Sequence, residues 1–105
     1  MDKFIEVHNL EEYKNAIQEK SIFLFTATWC PDCIFIKPFI GEIVDKYTQY
    51  KFYVIDRDEM IDLCKELDIM GIPSFVAFEN GKETGRFVSK LRKTKEEIEQ
   101  FINSL

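Results

Sequence analysis

With 105 residues, the chain is long enough for one hydrophobic core and too short for two, so residues 1–105 are expected to form a single domain. A composition that is 46% hydrophobic and 31% charged, with ten Phe, four Tyr and one Trp, excludes a disordered or low-complexity chain. The formal net charge of −5 argues against nucleic acid and against an anionic membrane surface as partner.

Met1-Asp2-Lys3-Phe4 offers neither the basic start nor the apolar stretch of a secretory leader. No later run approaches the roughly 18 to 20 apolar residues that span a bilayer, and a cytoplasmic protein is expected. Phe4, Ile5 and Val7 predict a short first strand, with His8 a surface residue at its end. Asn9 with Glu12 three positions on reads as a capping box opening a helix to about Lys20, on which Leu10, Tyr13, Ala16 and Ile17 share one face. Ser21 to Thr28 is apolar on consecutive rather than alternate positions, the pattern of a central strand buried on both faces.

A long helix is expected from about Pro31 to Tyr50, with Ile34, Phe35, Phe39, Ile43, Val44 and Tyr47 at helical spacing and a kink at Pro38. Lys51 to Asp56 predicts a third strand, and Met60 to Leu67 a short helix turning Met60, Leu63, Cys64 and Leu67 inward. Gly71-Ile72-Pro73-Ser74 is a turn feeding a strand from Phe75 to Phe78, and Asn80-Gly81 folds Lys82 to Ser89 back antiparallel to it. Thr94 with Glu97 opens a last helix whose buried stripe is Ile98, Phe101, Ile102 and Leu105. The order β-α-β-α-β-α-β-β-α defines an α/β class with one mixed sheet of about five strands flanked by four helices.

Trp29-Cys30-Pro31-Asp32-Cys33 falls at the turn between the central strand and the long helix. Two thiols three positions apart there can exchange between dithiol and disulfide with little backbone movement. Cys30 stands at or before the first helical turn, where unpaired N–H groups and the positive end of the helix dipole favour a thiolate, which makes it the candidate nucleophile. Cys33, one turn later on the same side, is placed to attack a mixed disulfide at Cys30 and is the candidate resolving thiol. Pro31 suits the first helical position.

Against a redox role stand two incidental cysteines or half of a zinc site. A tetrahedral site needs four ligands, and the rest of the chain offers only Cys64, His8 and scattered carboxylates. Three cysteines are also an odd number for a disulfide framework. Cys64 reads as a buried core thiol, or else as a secondary redox or dimer-forming site. Taken alone, Trp29 is equally a core aromatic and Pro73 an ordinary turn proline. Asp32 is either a first-turn acid on the helix dipole, a charge that opposes a thiolate at Cys30, or a relay for the proton of Cys33.

Over essentially its whole length the chain resembles the thioredoxin family. The resemblance is carried by Ala27-Thr28-Trp29-Cys30-Pro31-Asp32-Cys33, by Pro38 eight positions after the first cysteine, by Gly71-Ile72-Pro73-Ser74 and by Phe78-Glu79-Asn80-Gly81. It implies the thioredoxin fold, a cis peptide at Ile72-Pro73 with that proline against the dithiol, and Trp29 partly exposed beside it. It also implies substrate contacts at Trp29, Ile72, Pro73 and Ser89. The chain departs from the family where a buried Asp and its accompanying Lys usually stand, since those positions are Leu24 and Val54.

The Pro31-Asp32 pair in place of Gly-Pro is similar to that of tryparedoxin-like members, which implies a narrower substrate range. Ser89 replaces a usual glycine and is followed by Lys90, Arg92 and Lys93, which read either as a rim selecting acidic partners or as a solvated charge run. Ile34 and Phe35 add an apolar rim. The function implied is a monomeric thiol–disulfide oxidoreductase, a reductase of disulfide-bearing protein or small-molecule substrates serving cell redox homeostasis. It would be recharged by a flavin-dependent thioredoxin reductase or equivalent dithiol donor, with no bound cofactor. The alternatives are a glutathione-linked exchanger, which Trp29 and the complete N-terminal βα unit oppose, an adaptor with an incidental dithiol, and a metal carrier.

Overall fold

The computed structural model describes residues 3–105. Met1 and Asp2, on which the leader-free reading of the N-terminus partly rests, lie outside the described residues. The elements run β1 (Ile5–Glu6), α1 (Leu10–Ala16), β2 (Ser21–Thr26), α2 (Pro31–Lys46), β3 (Lys51–Asp56), α3 (Ile61–Glu66), β4 (Ser74–Glu79), β5 (Lys82–Phe87) and α4 (Lys95–Asn103). They build one sheet in the order β1-β3-β2-β4-β5, in which β1 and β2 run parallel to β3, β4 antiparallel to β2, and β5 antiparallel to β4.

The unbroken apolar run of β2 is explained by its central place. Successive strand residues point to opposite faces, and helices cover both. Phe23 and Phe25 join Tyr53, Ile55, Val76 and Phe78 under Tyr13 of α1 and Leu63 and Cys64 of α3. Ile22 and Leu24 join Val54, Phe75 and Ala77 under Ile36, Ile40 and Ile43 of α2 and Ile98 and Ile102 of α4. At the hairpin, Asn80 and Gly81 both take positive φ, 55° and 81°, the backbone that a tight two-residue turn between β4 and β5 demands.

Several expectations about the helices are corrected. α1 stops at Ala16 rather than Lys20, because the carbonyls of Ile17 and Gln18 accept from Gly81 N–H (2.9 Å) and Asn80 N–H (3.0 Å) of the hairpin instead of continuing the helix. Leu10, at its first position, is exposed. Its opening is no reciprocal capping box, since Asn9 Oδ1 accepts from Glu12 N–H at 2.9 Å while the Glu12 carboxylate accepts from His8 N–H at 2.7 Å. α2 ends at Lys46, four residues short of Tyr50, where the chain turns so that Lys51 N–H can donate to Lys20 O at 2.9 Å and start β3. Its buried stripe is Cys33, Ile36, Ile40 and Ile43, and Ile34 and Phe35 face outward. In α4 the capping box of Thr94 and Glu97 is present, and Leu105 beyond its end is exposed.

Candidate active site

The dithiol is set by the way α2 begins. Cys30 is its N-cap, with φ −86° and ψ 115°, and its sulfur accepts the N–H of Cys33 at 3.2 Å, meeting one of the orphan donors of the first turn. Pro31 at the first helical position has no N–H to leave unpaired. Both thiols are free and buried, Cys33 almost completely. The Cys30 S–H points at the carbonyl of Ile72, 3.8 Å away across the neighbouring turn. That turn holds a cis Ile72-Pro73 peptide and is closed by Ser74 Oγ donating to Gly71 O at 2.6 Å. The Pro73 side chain is fully buried there.

Burial pushes the Cys33 thiol up to about 11, and its hydrogen bond with the Cys30 sulfur adds to the rise. Leu24 and Val54 pair across β2 and β3 and are both buried, so no carboxylate or ammonium stands at either position.

Trp29 is 56% exposed. Its indole N–H donates to Asp58 Oδ2 at 2.6 Å, and the Arg57 guanidinium lies 5.0 Å from the ring centroid. Neither partner is evident from the cysteine motif; the signal was the charged run Asp56-Arg57-Asp58-Glu59 at the C-terminal end of β3, beside the end of β2 where the dithiol turn begins. Asp32 Oδ1 accepts from Arg92 Nε at 2.8 Å, and the Arg92 guanidinium stacks 4.4 Å from the Phe35 ring centroid. Ser89 is half-buried, its hydroxyl accepting Leu91 N–H at 3.3 Å.

The basic run after Ser89 divides. Lys90 and Arg92 are exposed, but Lys93 is only 1% exposed, which corrects its place in a rim or solvated charge run. Its ammonium donates to Leu91 O at 2.8 Å and Ser89 O at 3.2 Å and lies 5.2 Å from the Phe87 ring centroid. Exposed apolar side chains at Trp29, Ile34, Phe35 and Leu91 come from the segments that flank the dithiol.

Cys64 is buried on α3, and burial pushes its thiol up to about 11. In the folded protein at pH 8, iodoacetamide is expected to leave Cys64 unmodified while it labels Cys30, as read by peptide mass mapping; prompt labelling of Cys64 would show it to be a reactive thiol. Among the described residues no cluster of three or more His, Cys, Asp or Glu side chains is arranged to hold a metal ion, and no helix is long and apolar enough to cross a membrane.

Fold and dithiol together define the class, that of the thiol–disulfide oxidoreductases. Residues 4–104 match the family described as Thioredoxin. The chain is 34% identical over 96 residues to a thioredoxin of Sus scrofa, covering 90% of this chain and 89% of that one. It is likewise 34% identical over 101 residues to a thioredoxin H-type of Brassica campestris, covering 90% of this chain and 80% of the relative. Mitochondrial thioredoxin 3 of Saccharomyces cerevisiae, solved in its oxidised form, superposes with a TM-score of 0.85 at 27% identity over 99% of this chain and 97% of the yeast one. The chain belongs to the thioredoxin family.

Proposed function

We propose that Cys30 is the attacking thiol and Cys33 the resolving thiol of a reductase. The Cys30 thiolate attacks a substrate disulfide, forming a mixed disulfide and releasing one substrate sulfur as thiolate. Cys33 then gives up its proton and attacks the Cys30 sulfur, releasing the second substrate sulfur and leaving the Cys30–Cys33 disulfide. The substrate gains two electrons, which a dithiol donor of the thioredoxin reductase kind later returns to the pair. The observation that carries this assignment is the asymmetry of the two thiols. Charge developing on the Cys30 sulfur is met by the Cys33 N–H at 3.2 Å and by the N-terminal end of α2, whereas Cys33 is buried and pushed up to about 11.

The substrate is a disulfide in a protein or a small molecule. An extended segment would lie along the backbone of Ile72 at the Pro73 turn, between Trp29 and Ser89. Exposed Ile34, Phe35 and Leu91 beside Lys90 and Arg92 favour a partner with an apolar contact and acidic flanks, a narrower choice than a general reductant makes. The chain acts as a single-domain monomer in the cytoplasm, in electron transport to disulfides.

Equilibration with glutathione redox buffers tests the direction of electron flow. A potential for the Cys30–Cys33 couple near or below about −250 mV is expected; a value above about −200 mV would make the protein an oxidant or isomerase and overturn the proposal.

A further inference from the structure

Lys93 is the one buried charged side chain among the described residues. Burying an ammonium costs free energy that a carboxylate partner ordinarily offsets, and among the described residues Lys93 has no such partner within a hydrogen bond. Its acceptors are two neutral carbonyls of its own loop, Leu91 O and Ser89 O, which leave the third N–H without one.

The loop is held against the dithiol from two sides. Ser89 O and the Lys90 Cα press on Gly71 so closely that a Cβ there would sit 2.3 and 2.7 Å from them. Gly71 immediately precedes Ile72, whose carbonyl faces Cys30. On the other side Arg92 is tied to Asp32, between the two cysteines.

Lys93 also shares a face of the sheet with the buried apolar pair Leu24 and Val54. Val54, Leu24, Phe75 and Phe87 form one row across β3, β2, β4 and β5, and the Lys93 ammonium lies at the Phe87 end of it. The charged and titratable groups that face it are Asp32, Cys30 and Cys33 from α2 and Glu97 from α4, with Arg92 in its own loop already paired to Asp32. Burial lowers the Lys93 ammonium from its ordinary value, and Asp32, followed by Cys33, pulls against that.

We propose that Lys93 is a positioning residue for the dithiol chemistry, its buried ammonium supplying the fixed positive charge that favours the thiolate of Cys33 during resolution. This rests on Cys33 being the resolving thiol. The step needs such a charge because Cys33 is almost completely buried, Lys93 is the only buried basic side chain among the described residues, and positions Leu24 and Val54 carry no charge. A positive charge held in a site of low dielectric favours an anion far more than one in solvent does.

The test follows resolution, at pH 7, of a mixed disulfide preformed on Cys30, with Lys93 intact and with Lys93→Met. Met keeps the length of the side chain and removes the burial cost, so the fold is expected to hold, as thermal unfolding will report. Lys93→Gln is the second variant, neutral but able to donate to both carbonyls. Resolution is expected to slow about 3- to 10-fold in both variants. Lys93→Arg, which keeps the charge, is expected to keep the original rate. An unchanged resolution rate in Lys93→Met, or in Lys93→Gln should the Met variant fail to fold, would overturn the proposal. The resolving role itself fails on a different result, namely that Cys33 of the unaltered protein does not release the mixed disulfide at any pH.

Discussion

Cys30→Ser is expected to lower the rate of protein disulfide reduction by at least about 1000-fold, the scale on which loss of an attacking residue acts. A serine hydroxyl neither ionises near neutral pH nor forms a bond to substrate sulfur that Cys33 could break. The remaining thiols do not take over. Cys33 is almost completely buried behind the first turn of α2, and Cys64 lies on the buried face of α3; burial pushes both up to about 11. Insulin reduction followed by turbidity, with dithiol donor in excess, reads the loss directly.

Cys33→Ser gives the complementary result. Its turnover is expected to fall as far, but the first bond still forms, so a mixed disulfide accumulates at one substrate thiol per chain and mass mapping finds it on Cys30. Adduct on Cys64 instead, or more than a tenth of the original turnover in Cys30→Ser, would refute the assignment of the attacking thiol.

How far the sequence disclosed this site varies with the kind of interaction. The strands and their order were legible because β2 and β4 are apolar on consecutive residues and only a central place between two helical layers accommodates that. The face of α2 was not. Its first half carries apolar residues at Ile34, Phe35, Ile36, Phe39 and Ile40, enough for two stripes, and periodicity alone cannot tell the stripe that packs on the sheet from the one left exposed beside the dithiol. The end of α1 was set by hairpin amides sixty-odd residues away that claim its last carbonyls. Lys93 was hidden for a related reason. In a run with Lys90 and Arg92 it looks solvated, and only the closing of the loop onto Gly71 and Asp32 turns it inward.

Gly71→Ala is expected to be the most damaging conservative change in the fold, costing about 3 kcal/mol, at the upper end of what overpacking typically costs. An added Cβ would lie 2.3 Å from Ser89 O, 2.6 Å from Ser89 C and 2.7 Å from Lys90 Cα, all of them backbone, so no side-chain rotation relieves the clash. The loop must move, and it is pinned by the bonds of Lys93 to Ser89 O and Leu91 O and by the Arg92–Asp32 pair. For a domain of this size each kcal/mol corresponds to roughly 4–8 °C, which predicts a fall in Tm of about 12–24 °C by thermal unfolding. Gly41→Ala is the internal comparison. It lies inside α2, where a Cβ would meet the flexible Lys3 side chain, Cδ at 3.5 Å and Cε at 3.6 Å, in ordinary contact, and replacing a helical glycine by alanine is expected to raise stability by about 0.5–1 kcal/mol. The same substitution thus changes sign between the two sites. A Gly71→Ala variant melting within about 2 °C of the unaltered protein would mean that the loop yields without cost and does not clamp the dithiol.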